Sequence, residues 1–210
     1  EVADLLARSQ QRDWPANSDE ERRSHQQQFI YQVGRHVGHL TPELTRRLLA
    51  DLHGVKGLAS NHRLSDDTRT ALIDRAIVQL TGNMEAGDPA LPDNFDQRAK
   101  TFLTESLNEG YQFSSEQRQQ LLASLKARST PISGLSDWDR PTGAPAVFFV
   151  LWRDPDLMPE HLELLYEQLP GGSRGKMAAG KLISHPAADH SLYRRVARDY
   201  PSDASLARQL

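Results

Sequence analysis

The amino-acid sequence predicts an all-α fold: a right-handed α-α superhelix of stacked helix pairs, with one long irregular loop around 128–145. Three observations lead there. Helix-start signals recur along the chain, while strand and hairpin signals are almost missing. The starts align on a capping residue that is followed at a fixed distance by a pair of apolar residues. They also return at roughly 20 to 30 residues, the period of units that cannot bury their faces alone and must stack.

Taken in order, "NSDEERRSHQQQFIYQVGRHV" opens on Ser18 and Glu21 in the S-x-x-E arrangement, in which hydroxyl and carboxylate satisfy each other's exposed backbone donors. Phe29, Ile30, Val33 and Val37 follow at helical spacing and define its apolar face. "LTPELTRRLLADLHG" has Thr41 as cap, Pro42 at the first helical position and Gly54 as the expected stop. "LSDDTRTALIDRAIVQLTG" repeats the design with Ser65 and Gly82. A further start is expected at Asp93 or Asn94, and "FSSEQRQQLLASLKA" begins another helix with Ser114 and Gln117.

With Thr41, Ser65, Ser114, Met158 and Asp189 as the equivalent position, the seventh residue on is Leu48, Leu72, Leu121, Leu165 and Val196. The eighth is Leu49, Ile73, Leu122, Tyr166 and Ala197, and Leu40, Leu64, Phe113, Leu157 and Ala188 stand just before the cap. Staple, cap and ridge therefore recur as one module. Asp203 and Leu210 continue it, so the array is expected either to be capped there or to run on in a longer parent protein.

The span "LWRDPDLMPEHLELLYEQLPGGSRGKMAAGKLISHPAADHSLYRRVARDY" resembles the leucine-rich repeat variant family, within the HEAT-like α-solenoids. That family alternates a phrase of spaced prolines and leucines with an R-x-x-V-A phrase. The matching pieces are Asp154, Pro155, Pro159, Leu162 and Leu165, then Arg174 to Ala179, then His185, Pro186, Leu192, Val196 and Ala197. The resemblance implies one α-helical repeat domain over 1–210, more divergent over 1–127 and clearer over 146–210. It also implies a non-catalytic scaffold that binds a protein or peptide partner. Members with an iron–sulfur cluster use clustered cysteines, and this chain has no cysteine, so no cofactor is expected.

Composition narrows the function classes. Hydrophobic residues make up 38% and charged residues 25%, with a mean hydropathy of -0.62, which suits a soluble chain able to bury a core. The absence of cysteine removes disulfides, thiolate zinc sites and a cysteine nucleophile together. A formal net charge of -3 supplies no global attraction for phosphate backbones, so a nucleic-acid partner is not expected. The longest apolar run, "APAVFFVLW" from Ala144 to Trp152, is about half the roughly 20 residues that span a bilayer. No membrane span is expected, and a cytoplasmic location is the working expectation.

The candidate binding residues are Trp138, Asp139, Trp152, Arg153, Arg194, Arg195 and Arg198. Trp138 stands between Asp137 and Asp139 in the irregular loop, either as an aromatic anchor for a partner or folded back over the core. At "VLWRDPD" the apolar run favours burial of Trp152, with Arg153 and Asp154 exposed. Arg194, Arg195 and Arg198 form a cationic cluster suited to phosphate or an acidic patch, with a solvated helix face as the plainer reading.

His185, Asp189 and His190 have ligand chemistry for zinc or iron, but Pro186 breaks the spacing and Asp189 serves better as a cap, so no metal is expected. "PGGSRGKMAAGK" departs from the phosphate-loop pattern at Pro170 and Met177; it leaves Ser173 and Arg174 at a helix start and a small-residue face at Ala178, Ala179 and Gly180. Two other function classes stay open beside the scaffold. One is a HEAT-like enzyme excising alkylated bases, with Trp138, Asp139, Trp152 and Arg153 as equivalents in residue type. The other is a regulatory domain of a larger protein.

Overall fold

The computed structural model describes residues 18–81, 96–126, 144–169 and 172–201; of 96, 97, 144, 145 and 172–174 it describes the backbone alone. All regular structure among the described residues is α-helical. The helices are α1 (Asp19–His36), α2 (Pro42–Leu49), α3 (Leu52–Ala59), α4 (Asp66–Thr81), α5 (Asp96–Asn108), α6 (Ser115–Lys126), α7 (Ala144–Leu151), α8 (Pro159–Glu167), α9 (Gly172–Ile183) and α10 (His190–Asp199). They fall into two compact units, Glu1–Tyr111 and Gln112–Leu210.

In the first unit α1 packs chiefly on α3, and α5 packs on both α3 and α4. The Ser18 hydroxyl accepts from the Glu21 amide at 3.1 Å, so α1 starts where its cap signal places it. Its buried stripe runs through Ile30, Gly34 and Val37, with Phe29 and Val33 only half-buried. Gly34 sets that register because a Cβ there would lie 2.9 Å from the Gly54 carbonyl oxygen and 3.1 Å from the Gly57 Cα. Asn61, fully buried, closes the end of α1 by donating from its amide to the carbonyls of Gly34 at 2.7 Å and Val37 at 2.8 Å.

Gly54 is not a helix stop. Asp51 starts α3 by accepting from the amides of His53 at 2.8 Å and Gly54 at 3.1 Å, which leaves Gly54 inside the helix. Its missing side chain serves close approach: a Cβ would strike the Leu48 carbonyl, as one on Gly57 would strike the Tyr31 carbonyl. A true glycine stop follows α5, where Gly110 adopts φ +88°. Tyr111 and Gly110 there donate to the carbonyls of Ser106 at 2.9 Å and Leu107 at 3.0 Å, the paired bonds of a Schellman end.

In the second unit α6 opens on a reciprocal box. The Gln117 amide donates to the Ser114 hydroxyl at 3.2 Å, and the Ser114 amide donates to the Gln117 side chain at 3.0 Å. α7 packs on α6, and α9 packs on both α8 and α10. Ala146, Val147, Phe148, Val150 and Leu151 are fully buried, as expected of a helix apolar on all sides. No helix among the described residues is long and apolar enough to cross a membrane.

Met158 starts α8 without a capping oxygen of its own; its amide donates to His161 Nδ1 at 3.1 Å instead. Asp189 caps α10 by accepting from the Leu192 amide at 3.0 Å. The ridge residues Leu48, Leu72, Leu121, Leu165 and Val196 are all buried, as the module predicts.

Candidate partner-binding site

Trp152 ends α7, its amide still bonded to the Phe148 carbonyl at 3.0 Å. The chain then turns, with Arg153 and Asp154 donating to Val150 at 3.2 Å and Leu151 at 2.8 Å. The turn leaves the indole half-buried and brings two cations against it. The Arg153 guanidinium carbon lies 4.5 Å, and the Lys181 ammonium 4.3 Å, from the Trp152 ring. Arg153 is steadied by a bond from Nη1 to the Phe149 carbonyl at 2.7 Å.

Lys181 reaches the ring because Ala178, Ala179, Leu182 and Ile183 bury the opposite side of α9. Its ammonium pairs with no carboxylate among the described residues. One turn earlier on the same face Met177 is 62% exposed. The Trp152 Nε1 is buried and has no acceptor among the described residues.

Asp154, expected at the surface beside Arg153, is instead fully buried. Its carboxylate accepts from Arg118 Nε at 2.5 Å, Arg118 Nη2 at 3.3 Å and the Asp156 amide at 3.2 Å. Arg118 also donates to the Phe113 carbonyl at 3.2 Å and to Asp156 at 3.3 Å. The bond to Asp154 is the main reason the Arg118 guanidinium holds its proton more tightly than usual.

The Asp154 carbonyl meets His185 Nε2 at 2.9 Å while His185 Nδ1 accepts from the Ala187 amide at 3.1 Å, so the ring proton sits on Nε2. The turn carrying Trp152 and Arg153 is thus tied to α6 on one side and to the α9–α10 connection on the other.

Both ring nitrogens of His185 are engaged within the protein and Asp189 is a cap. No group of three His, Asp or Glu suited to a metal occurs among the described residues. The side chains of Ser173 and Arg174 lie outside the described residues, as do Trp138 and Asp139. In the small-residue face, Ala178 and Ala179 pack closely, but a Cβ on Gly180 would meet nothing within 4 Å.

The arginine cluster is mostly internal wiring. Arg195 donates to Glu163 at 2.7 Å, lies 3.6 Å from Glu167 and stands over the Tyr166 ring at 4.8 Å. Burial is the largest single influence and disfavours its charge, but the Glu163 hydrogen bond together with the charges of Glu163 and Glu167 and the Tyr166 side chain outweighs it and raises its pKa. Arg198 pairs with Asp199 at 3.0 Å, and Asp199 accepts from the Tyr166 hydroxyl at 2.8 Å. Burial, then the Asp199 bond, push the Tyr166 hydroxyl above its ordinary range. Arg194 alone of the three makes no ion pair among the described residues.

No known protein family, curated protein or solved structure matches this chain.

A hollow lies in the first unit. It holds about 360 Å³ between the start of α2 and the outer face of α4, with Leu40, Pro42 and Leu72 as apolar lining and Asp67 and Arg75 at its edge. Two contributors went unflagged in the sequence. This hollow follows from Asp67, Ala71 and Arg75 at successive i,i+4 positions, a small residue between two long ones. Lys181 carries no such signal, because it is a contact across the fold that sets it against the Trp152 ring.

Proposed function

We propose that the chain is a non-catalytic helical-repeat scaffold, a right-handed superhelix of HEAT-like helix pairs, that binds a protein or peptide partner through the Trp152 face of its second unit. The observation that carries this is the pair of cations held against a half-buried indole, one of them without a carboxylate among the described residues. Tryptophan and arginine dominate binding energy at protein interfaces when the aromatic body is pre-positioned. Here the Arg118–Asp154–His185 network positions it before any partner arrives. The repeated staple, cap and ridge, with its buried leucines, supports the architectural half of the reading.

The base-excising alternative needs a carboxylate free to act near Trp152 and Arg153. The adjoining Asp154 is bound by Arg118, and Asp139 lies outside the described residues. No described geometry favours that reading.

The test is selection of a displayed random peptide library on the immobilised protein, in parallel with Trp152→Ala and the milder Trp152→Phe, each checked for helicity by circular dichroism. A convergent peptide family should be recovered by the wild type and lost with Trp152→Ala. Recovery of no convergent family, or of the same family by folded Trp152→Ala, refutes the role given to this face.

A further inference from the structure

Resting on the binding role proposed above, we infer that the Trp152 face takes an acidic segment of its partner, with a carboxylate on the Lys181 ammonium and an apolar side chain on Met177. Three features of α9 and the α7 end point to that chemistry. The Lys181 ammonium carries three donors, and it lies 4.3 Å from the centre of the Trp152 ring. A π-face balances charge without consuming those donors, so the ammonium keeps its capacity for a carboxylate. The ring also fixes the end of a long side chain, which reduces the ordering cost of binding. Among the described residues no carboxylate of this chain takes that place.

Met177, on the same helix face one turn away, is the most exposed large hydrophobic side chain among the described residues, ahead of Met158 at 52% and Leu52 at 42%. An unbranched thioether in that position adapts to varied apolar partners. The two backbone positions lie about 6 Å apart along the helix axis, set by the i,i+4 rise. A segment carrying an acidic residue within a few positions of an apolar one spans that distance.

The contrast with the arginine cluster strengthens the assignment. Arg195 and Arg198 carry their own counter-charges at Glu163 and Asp199, whereas Lys181 does not. Because the whole chain has a net charge of -3, an acidic partner gains no long-range attraction, and recognition has to be local and salt-sensitive. A phosphate backbone, in contrast, requires a stripe of several cations.

The experiment compares the amino-acid composition of random twelve-residue peptides recovered by the wild type, by Lys181→Glu and by Lys181→Arg. Lys181 is half-buried against the Trp152 ring, so each variant is first checked for helicity by circular dichroism. Wild type should enrich Asp and Glu over the input about twofold or more and deplete Lys and Arg. Lys181→Glu should reverse that bias and weaken the wild-type peptides by about tenfold, while Lys181→Arg holds them within about threefold. Recovery of peptides that lack acidic enrichment, or that bind Lys181→Glu unchanged, overturns this inference and leaves the binding role standing. If no peptide family emerges at all, both fall. Displacement of the recovered peptides by a twelve-nucleotide oligo-dT, lost in Lys181→Glu, would assign the face to nucleic acid and also overturn it.

Discussion

Replacing Arg118 with Met leaves the Asp154 carboxylate buried with a single donor. In the native protein that carboxylate has no exposure and Arg118 only 12%, and two guanidinium bonds at 2.5 and 3.3 Å join them. The substitution removes both bonds and those to Phe113 and Asp156, and leaves the Asp156 amide at 3.2 Å. Stranding one member of a buried ion pair costs about 3–5 kcal/mol, a large share of the roughly 5–15 kcal/mol that holds a domain folded. Asp154→Asn keeps the shape but turns one acceptor oxygen into an NH2 that faces an N–H donor, forfeiting charge-assisted bonding worth about 2 kcal/mol or more.

The double variant Arg118→Met/Asp154→Asn strands no charge, so it should be no less stable than Arg118→Met alone, and the two single losses should exceed the combined loss by about 1–3 kcal/mol. Urea unfolding followed by Trp152 emission, in a background with Trp14 and Trp138 changed to Phe, reads the second unit directly. A loss under about 1 kcal/mol for Arg118→Met, or simple additivity, would refute the view that this pair holds the Trp152 turn.

Three glycines should separate by environment. Gly57→Ala places a methyl on the Tyr31 carbonyl and should cost about 1–3 kcal/mol, exceeding the helix-propensity gain of about 1 kcal/mol; Gly180→Ala meets open space and should be neutral or stabilising by thermal melting. Gly34→Ala, whose methyl would sit 2.9 Å from the Gly54 carbonyl, should fall between them. Tyr166 and Tyr200 should ionise above the ordinary tyrosine range in an alkaline spectrophotometric titration, both held up chiefly by burial and then by Asp199. A raised folded pKa means the folded state keeps its proton longer. Its stabilising contribution is therefore intact below about pH 10 and is lost as pH rises through the folded values. Tyr166→Phe should flatten that alkaline slope, and an unchanged slope would count against it.

What was legible in the sequence was local. Ser18, Thr41, Ser65, Ser114 and Asp189 cap helices because a cap is a contract between residues two or three positions apart. The buried ridge followed from helical period alone. Gly54 was misplaced because its role is set by the Leu48 carbonyl across a turn and by the neighbouring α1, neither of which a stop signal encodes.

Asp154 was expected to be exposed because its counter-ion, Arg118, is 36 positions earlier. Arg195 likewise finds Glu163, 32 positions away, which converts a suggestive basic cluster into internal pairing. Of the candidate site, Trp152 and Arg153 could be named from sequence. Lys181 could not, since only the packing of α9 against the end of α7 brings it to the ring.

The most direct test of the binding face is the indole N–H resonance of Trp152 in the ¹⁵N-labelled protein, assigned by its loss in Trp152→Phe. That N–H is buried and without an acceptor among the described residues, against a ring touched by Arg153 and Lys181. Titration with a peptide recovered by selection should shift the Trp152 resonance in step with binding and leave the backbone amides of Arg194 and Arg198 in place. A peptide that saturates the protein while the Trp152 resonance stays fixed would contradict the account.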